Sequence, residues 1–217
     1  MLSNDTRSKI KDLTTGNVIT WGENHCIAIR NILCTGFGPG RTDKKQFDSN
    51  QSIKKRQAKL IEDWCNEHGL WLSNLPVNEP PFAKGGEAIV FMDPDCRHVL
   101  KQNNAIYYST WLEFFNSLLL HNLFFPNTAY SLAGFTKKED SVFALLRQPF
   151  IIADTQVSPT EIKKHLEFNG FINTKRHDYI HKTFGVLLED MHDENVLVNS
   201  ETLFFIDTVF YILEPAI

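Results

Sequence analysis

The sequence lacks long hydrophobic runs, closely paired cysteines, internal repeats and any large excess of one charge, and each absence removes a class of protein. Its longest apolar region, Trp111 to Phe125, is interrupted by Glu113, Asn116, His121 and Asn122. No stretch therefore approaches the roughly 20 apolar residues needed to cross a bilayer, and no membrane partner is expected. Met1 to Lys11 is polar, so no secretory leader is expected either. The four cysteines, Cys26, Cys34, Cys65 and Cys96, are dispersed with no C-x-x-C pair, which disfavours structural zinc. Reduced thiols in a cytoplasmic protein are the corresponding expectation. A formal charge of −4 gives no general attraction to nucleic acid. The short basic run Lys54-Lys55-Arg56 reads as the solvated face of a helix.

What is present can build a core. Hydrophobic residues make up 42% of the chain, and phenylalanine alone contributes 17 of its 217 residues. That length allows one substantial domain or a compact domain with an addition. The clearest boundary is Leu75 to Pro81, where three prolines stop helix continuation and favour extended backbone. The division expected is a helical region over residues 1–76 and a second domain over 77–217. In the first, Cys26 to Cys34 reads as a short helix. Ser52 to Gly69 reads as an amphipathic one, expected to dock on the remainder.

Beyond the boundary the pattern is mainly of strands, giving an α+β class. Glu87 to Met92 and His98 to Gln102 flank a turn at Asp93 to Cys96, and Tyr130 to Phe135 and Ser141 to Arg147 flank Thr136 to Asp140. Trp111 to Leu123 reads as a buried helix between these hairpins. Ser158-Pro-Thr-Glu161 starts another helix, with serine as cap, proline in the first turn and glutamate returning a bond to the cap. A third hairpin joins Asn195–Val198 to Leu203–Asp207.

Transfer of the γ-phosphoryl group of ATP requires positioning and charge neutralisation. A carboxylate orients the acceptor, a cation contacts phosphate, and an amide oxygen with a second carboxylate holds Mg²⁺. Leu188 to Asn195 supplies D-x-x-x-x-N from Asp190 to Asn195, and the third hairpin returns the chain to Phe205-Ile-Asp-Thr208. The two ends of a hairpin lie close together, so Asn195 and Asp207 can converge on one ion. His192 and Asp193 read as turn residues beside the site. This segment resembles the catalytic loop and metal-binding aspartate of the protein-kinase-like superfamily. Asp190 is then the candidate catalytic residue, Asn195 and Asp207 the candidate metal ligands.

The upstream half matches independently. Lys84-Gly-Gly-Glu-Ala-Ile-Val90 looks like an abbreviated phosphate loop in which Gly85 and Gly86 admit close backbone approach and Val90 packs on the base. Val99-Leu-Lys101 looks like the strand that carries the phosphate-contacting lysine. Glu113 either pairs with Lys101 or favours the helix N-terminus. Gln148-Pro-Phe150 falls where a nucleotide-binding hinge belongs. The superficially similar Gly36 to Gly40 follows a helical pattern and contains Pro39, so it reads as a structural turn.

From Gly85 to Tyr211 the chain resembles the kinase-like domain found in phage and mobile-element polyvalent proteins. The resemblance rests on Gly85 to Phe91, Leu100-Lys101, His121-Asn122 followed by Phe125-Pro126, Arg147 to Phe150, and Asp190 through Thr208. It implies a minimal kinase-like fold: an antiparallel N-terminal sheet with one helix and a much reduced C-terminal lobe. It also implies ATP and Mg²⁺ as nucleotide and metal, with the acceptor unspecified between protein and small molecule. Leu188-Glu189 replaces His-Arg before the catalytic aspartate, and Thr208-Val209 replaces Phe-Gly after the metal aspartate. The sequence ends about ten residues past Asp207, so neither an activation loop nor a helical peptide platform is expected. The same residues also accommodate a degenerate nucleotide-binding module, or nucleotidyl or small-molecule transfer on this fold.

Overall fold

The computed structural model describes residues 2–38, 47–77, 80–86 and 88–213, with the backbone alone for 47–50. Three helices come first: α1 (Asn4–Thr15), α2 (His25–Phe37) and α3 (Phe47–His68). Each of the first two begins on a side-chain cap that satisfies an otherwise unpaired N–H. The Ser3 hydroxyl accepts from Thr6 N, and the Asn24 amide oxygen accepts from Ile27 N. Gly16 closes α1 with φ of 79°, a left-handed conformation open to glycine. Gly38 caps α2 through its N–H to Cys34 O, so the glycine-rich segment ends a helix. Pro39 and Gly40 lie outside the described residues, as do Asn78, Glu79 and Glu87.

The first sheet contains β1 (Ala83–Lys84), β2 (Ala88–Met92), β3 (His98–Asn103), β4 (Ser131–Lys138) and β5 (Ser141–Pro149), in the order β1-β2-β3-β5-β4. All its pairings are antiparallel. The expected strands are present, and β4 runs on to Lys138 because Glu139 takes a positive φ and tightens the turn. A bulge at Gly134 lets the chain leaving α3 lie along β4, where Phe135 N–H donates to Leu70 O and Leu72 N–H to Phe135 O.

Between β3 and β4 runs α4 (Trp111–Phe124), whose cap Thr110 accepts from Glu113 N. It is buried on nearly every side, its polar residues Glu113, Asn116, Ser117 and His121 included. Helices α1, α2 and α3 pack on it, and one continuous hydrophobic core runs from Ile10 and Ile29 through Phe115 to Phe210. Arg30 is fully buried in this junction, where its guanidinium donates to Asn116 Oδ1 at 3.0 Å and to Leu13 O at 3.5 Å. The α3 helix docks as its amphipathic pattern predicts. Gln57 accepts from Leu112 N, and Lys54 Nζ donates to Ala105 O at 2.6 Å and Tyr108 O at 2.8 Å. Of the basic run, then, Lys55 and Arg56 are solvated while Lys54 turns inward to hold the start of α4.

The C-terminal part contains α5 (Pro159–Phe168), begun by the complete Ser158–Glu161 capping box. A second sheet of β6 (Ile172–Lys175), β7 (Asp178–His181), β8 (Val186–Glu189) and β11 (Val209–Ile212) follows in the order β11-β8-β7-β6. The hairpin β9 (Val196–Asn199) and β10 (Thr202–Phe205) is inserted between β8 and β11, turning at Ser200-Glu201 with both residues at positive φ. Stacked rings join these strands to α4: Phe125 with Phe205 at 4.1 Å between centroids, and Phe124 with Phe210 at 5.4 Å. The reading from sequence did not anticipate α1 or the four-stranded sheet. The sheet's four-residue strands carry too few alternations to declare themselves, and their pairing partners decide them.

Candidate active site

Lys101 stands on β3, the middle strand of the first sheet, and is only 8% exposed. Its ammonium donates to Ile206 O at 2.7 Å and to Tyr130 Oη at 3.3 Å, and lies 3.9 Å from Asp207 Oδ2. The Tyr130 ring centroid lies 5.4 Å from the same nitrogen, within cation–π range. Tyr130 Oη also donates to Ile206 O at 2.9 Å, so this carbonyl is shared by two donors. The Asp207 carboxylate is about half exposed and opens toward solvent.

The backbone carrying Asp207 is held from behind. His121, on α4, contacts Thr208 Oγ1 through Nδ1 at 2.7 Å and Thr128 O through Nε2 at 2.9 Å. A carbonyl only accepts, so Nε2 carries the proton and the Thr208 hydroxyl donates to Nδ1. Burial pushes the His121 pKa down to about 3, helped by the nearby Lys101 charge against the Thr128 bond, and keeps the ring neutral. Gln148 Nε2 reaches the same Thr128 O at 2.8 Å, and Thr128 Oγ1 donates to Phe205 O. Asn122 completes the frame by exchanging two bonds with the Tyr130 backbone. Threonine after the aspartate is thus an anchoring residue.

The Asp190–Asn195 loop is closed on itself. Asp190 has φ of 65°, a left-handed conformation that is costly for a non-glycine residue and common at functional loops. Asn195 Nδ2 donates to Asp190 O at 2.9 Å, and its backbone N–H donates to His192 O at 3.1 Å. With its amide nitrogen so engaged, Asn195 keeps Oδ1 as its remaining side-chain acceptor. His192 Nδ1 accepts from Glu194 N, and Nε2 lies 3.5 Å from Asp190 Oδ1. His192 is therefore more than a turn residue: it touches the carboxylate it flanks. Ile206 N–H donates to Asn195 O, extending the β9–β10 ladder and fixing Asn195 beside the Asp207 segment.

A cleft of about 500 Å³ gathers most of the residues singled out from the sequence. Val90, Lys101, Gln148, Phe150, Asn195 and Asp207 all line it. Gly85 and Gly86 form the β1–β2 turn next to the lining residues Ala83 and Val90, and a Cβ at Gly86 would collide with Tyr107 Oη. Asp190 is not one of the lining residues; its backbone carbonyl accepts from Asn195, which is, and its carboxylate is largely exposed beside the cleft. Glu113 is buried at the start of α4, where its carboxylate accepts from Ser109 N at 2.9 Å. The segment expected as a hinge continues past Phe150 through Ile151, Ile152 and Ala153, which also line the cleft. Phe82 stands edge-on to Phe150 at 5.8 Å. Sequence reasoning missed Phe82, Leu197 and Tyr130. Alternation on β9 was the available sign for Leu197; for the other two the sequence holds no local sign.

Among the described residues no cluster of three His, Cys, Asp or Glu side chains could hold a metal unaided. One amide oxygen and one carboxylate, Asn195 and Asp207, suit a hard cation that completes its shell with phosphate and water. The residues present therefore fit Mg²⁺ bound together with a nucleotide. A family model described as "Serine/Threonine/Tyrosine Kinase found in polyvalent proteins" matches residues 54–214. No curated protein and no solved structure matches the chain.

Proposed function

The chain belongs to the family of serine/threonine/tyrosine kinases found in polyvalent proteins, and from that membership we propose that it is an ATP- and Mg²⁺-dependent phosphotransferase acting at the cleft between Lys101 and Asp207. The observation that carries this reading is the meeting of Lys101 and Asp207 at 3.9 Å beside Asn195, in a cleft whose opposite wall is apolar. Val90, Val99, Leu197 and Phe150 suit the flat base of a nucleotide. Lys101 supplies the positive charge for phosphate oxygens. At the β1–β2 turn the Gly85 N–H is committed to Ala88 O, which leaves the Gly86 N–H as the glycine donor for the same oxygens.

Asn195 Oδ1 and the Asp207 carboxylate are the groups that hold Mg²⁺, which when bound neutralises charge building on the phosphates. Asp190 orients the acceptor hydroxyl and takes its proton as the new oxygen–phosphorus bond forms and the bond from the γ-phosphorus to the bridging oxygen breaks, ADP leaving with that electron pair. The bond from Asn195 Nδ2 holds the Asp190 backbone, and Asn195 and His192 each stand 3.5 Å from its carboxylate, which lowers the cost of orientation.

Asp190→Ala is expected to abolish transfer from radiolabelled ATP while the thermal shift with Mg-ATP persists, because bound ligand stabilises the folded state by mass action. Asp207→Ala is expected to lose the Mg²⁺-dependent part of that shift. Undiminished turnover in Asp190→Ala would reject the role given to that residue. The mass of the group added to the acceptor separates phosphoryl from nucleotidyl transfer.

A further inference from the structure

We propose that the tip of the β6–β7 hairpin, Lys175-Arg176-His177, recognises the acceptor, and that the acceptor is an extended peptide with acidic residues beside the hydroxyl. The proposal rests on the phosphotransferase reading and names the substrate class of the same site. The tip is bonded to both sides of Asp190: His177 O accepts from Met191 N at 2.9 Å, and Asp178 Oδ1 accepts from Asp190 N at 3.4 Å. A hydroxyl delivered to Asp190 is therefore delivered beside this tip.

Its charge is uncommitted. Lys175, Arg176 and His177 are exposed, and among the described residues neither Lys175 nor Arg176 is in an ion pair. The acid closest in sequence, Asp178, already serves the Asp190 N–H. The tip is also held in shape, since Asn173 Nδ2 donates to Arg176 O at 3.0 Å and to Asp178 O at 3.1 Å. Two exposed cations outside any ion pair among the described residues, on a backbone held beside Asp190, attract an anionic group near the acceptor hydroxyl.

The strand leading to the tip selects the kind of molecule. β6 is the outermost strand of its sheet, so one edge of its backbone donors and acceptors is unpaired among the described residues. Such an edge pairs with an extended polypeptide, whose backbone offers the complementary groups. Four residues at about 3.3 Å each make an edge of roughly 13 Å, ending at Lys175. At its far end Ile172 is 48% exposed and Phe168 68% exposed, an apolar anchor for a peptide side chain. A phosphodiester chain has no use for either feature.

The test is fluorescence anisotropy with the full chain, Mg²⁺ and a non-hydrolysable ATP analogue. It compares a short labelled peptide carrying Glu on both sides of a central Ser with its Gln counterpart. The acidic peptide is expected to bind about tenfold more tightly, with the difference shrinking as salt is raised. Lys175→Glu with Arg176→Glu is expected to reverse the preference toward a Lys-flanked peptide, which a merely structural role of the tip would not do. Equal affinity for the Glu and Gln peptides overturns the proposal. Displacement of the peptide by a competitor with no peptide backbone, a single-stranded oligonucleotide of equal charge at equal concentration, overturns the choice of a peptide. Because binding is read without turnover, a failure of phosphoryl transfer in the Asp190 experiment is scored separately.

Discussion

Replacing Lys101 with methionine separates the chemistry of the cleft from its folding. Methionine keeps most of the side-chain volume and removes the charge. At 3.9 Å and an effective dielectric constant of about 20, Lys101 and Asp207 attract each other by about 4 kcal/mol. Asp207 is 47% exposed, and solvent reduces the net value of such a pair to about 1 kcal/mol. The bond from the ammonium to Ile206 O adds about 1.5–3 kcal/mol, but removing a nearly buried cation relieves a desolvation cost of similar size. Ile206 O is not orphaned, because Tyr130 Oη still donates to it at 2.9 Å. The expected net change in stability is about 1 kcal/mol, a Tm shift of roughly 2–4 °C for a chain of this size. A positioned charge acting on the transition state is worth about 10²–10³ in rate. Lys101→Met is therefore expected to cut kcat/KM for ATP turnover at least a hundredfold, read by a coupled ADP-release assay, with Tm read by scanning fluorimetry. Turnover within about threefold of the parent at near-unchanged Tm would refute the placement of nucleotide phosphates at Lys101.

His121 gives a pH dependence of known sign. Its folded pKa of about 3 lies below the ordinary 6.5, so the unfolded chain binds the proton first as pH falls. Stability is complete above about pH 6.5 and is lost toward pH 3, at a slope of up to about 1.4 kcal/mol per pH unit. Urea midpoints measured across this range should lose that component in His121→Gln, and parallel curves for the two proteins would contradict it. Gly134→Ala is expected to cost about 2 kcal/mol or more, because φ is 153° and the new Cβ would stand 2.8 Å from Leu70 O. A thermal melt within 1 °C of the parent, against the several degrees expected, would show that the bulge relaxes freely.

The parts legible in the sequence are those built from neighbours along the chain. The caps at Ser158 and Glu161, the hairpins about Asp93 to Cys96 and about Ser200-Glu201, and the D-x-x-x-x-N spacing are local, and turn chemistry and periodicity suffice to place them. Lys101 and Asp207 were identifiable as types of residue on types of strand, but their approach to 3.9 Å depends on α4 clamping both halves. Nothing near Thr208 in sequence announces His121 as its partner, because a buried histidine reads as any other polar residue on an apolar helix. Likewise the short strands β6, β7, β8 and β11 acquire their register only from one another, and with it the basic tip comes to lie at Asp190. By itself the sequence determined which groups were available for phosphoryl chemistry and the short-range backbone that presents them. The tertiary structure decided which of them share a cleft, which are consumed as anchors and which charges stay free, because burial and long-range pairing depend on elements distant in the chain.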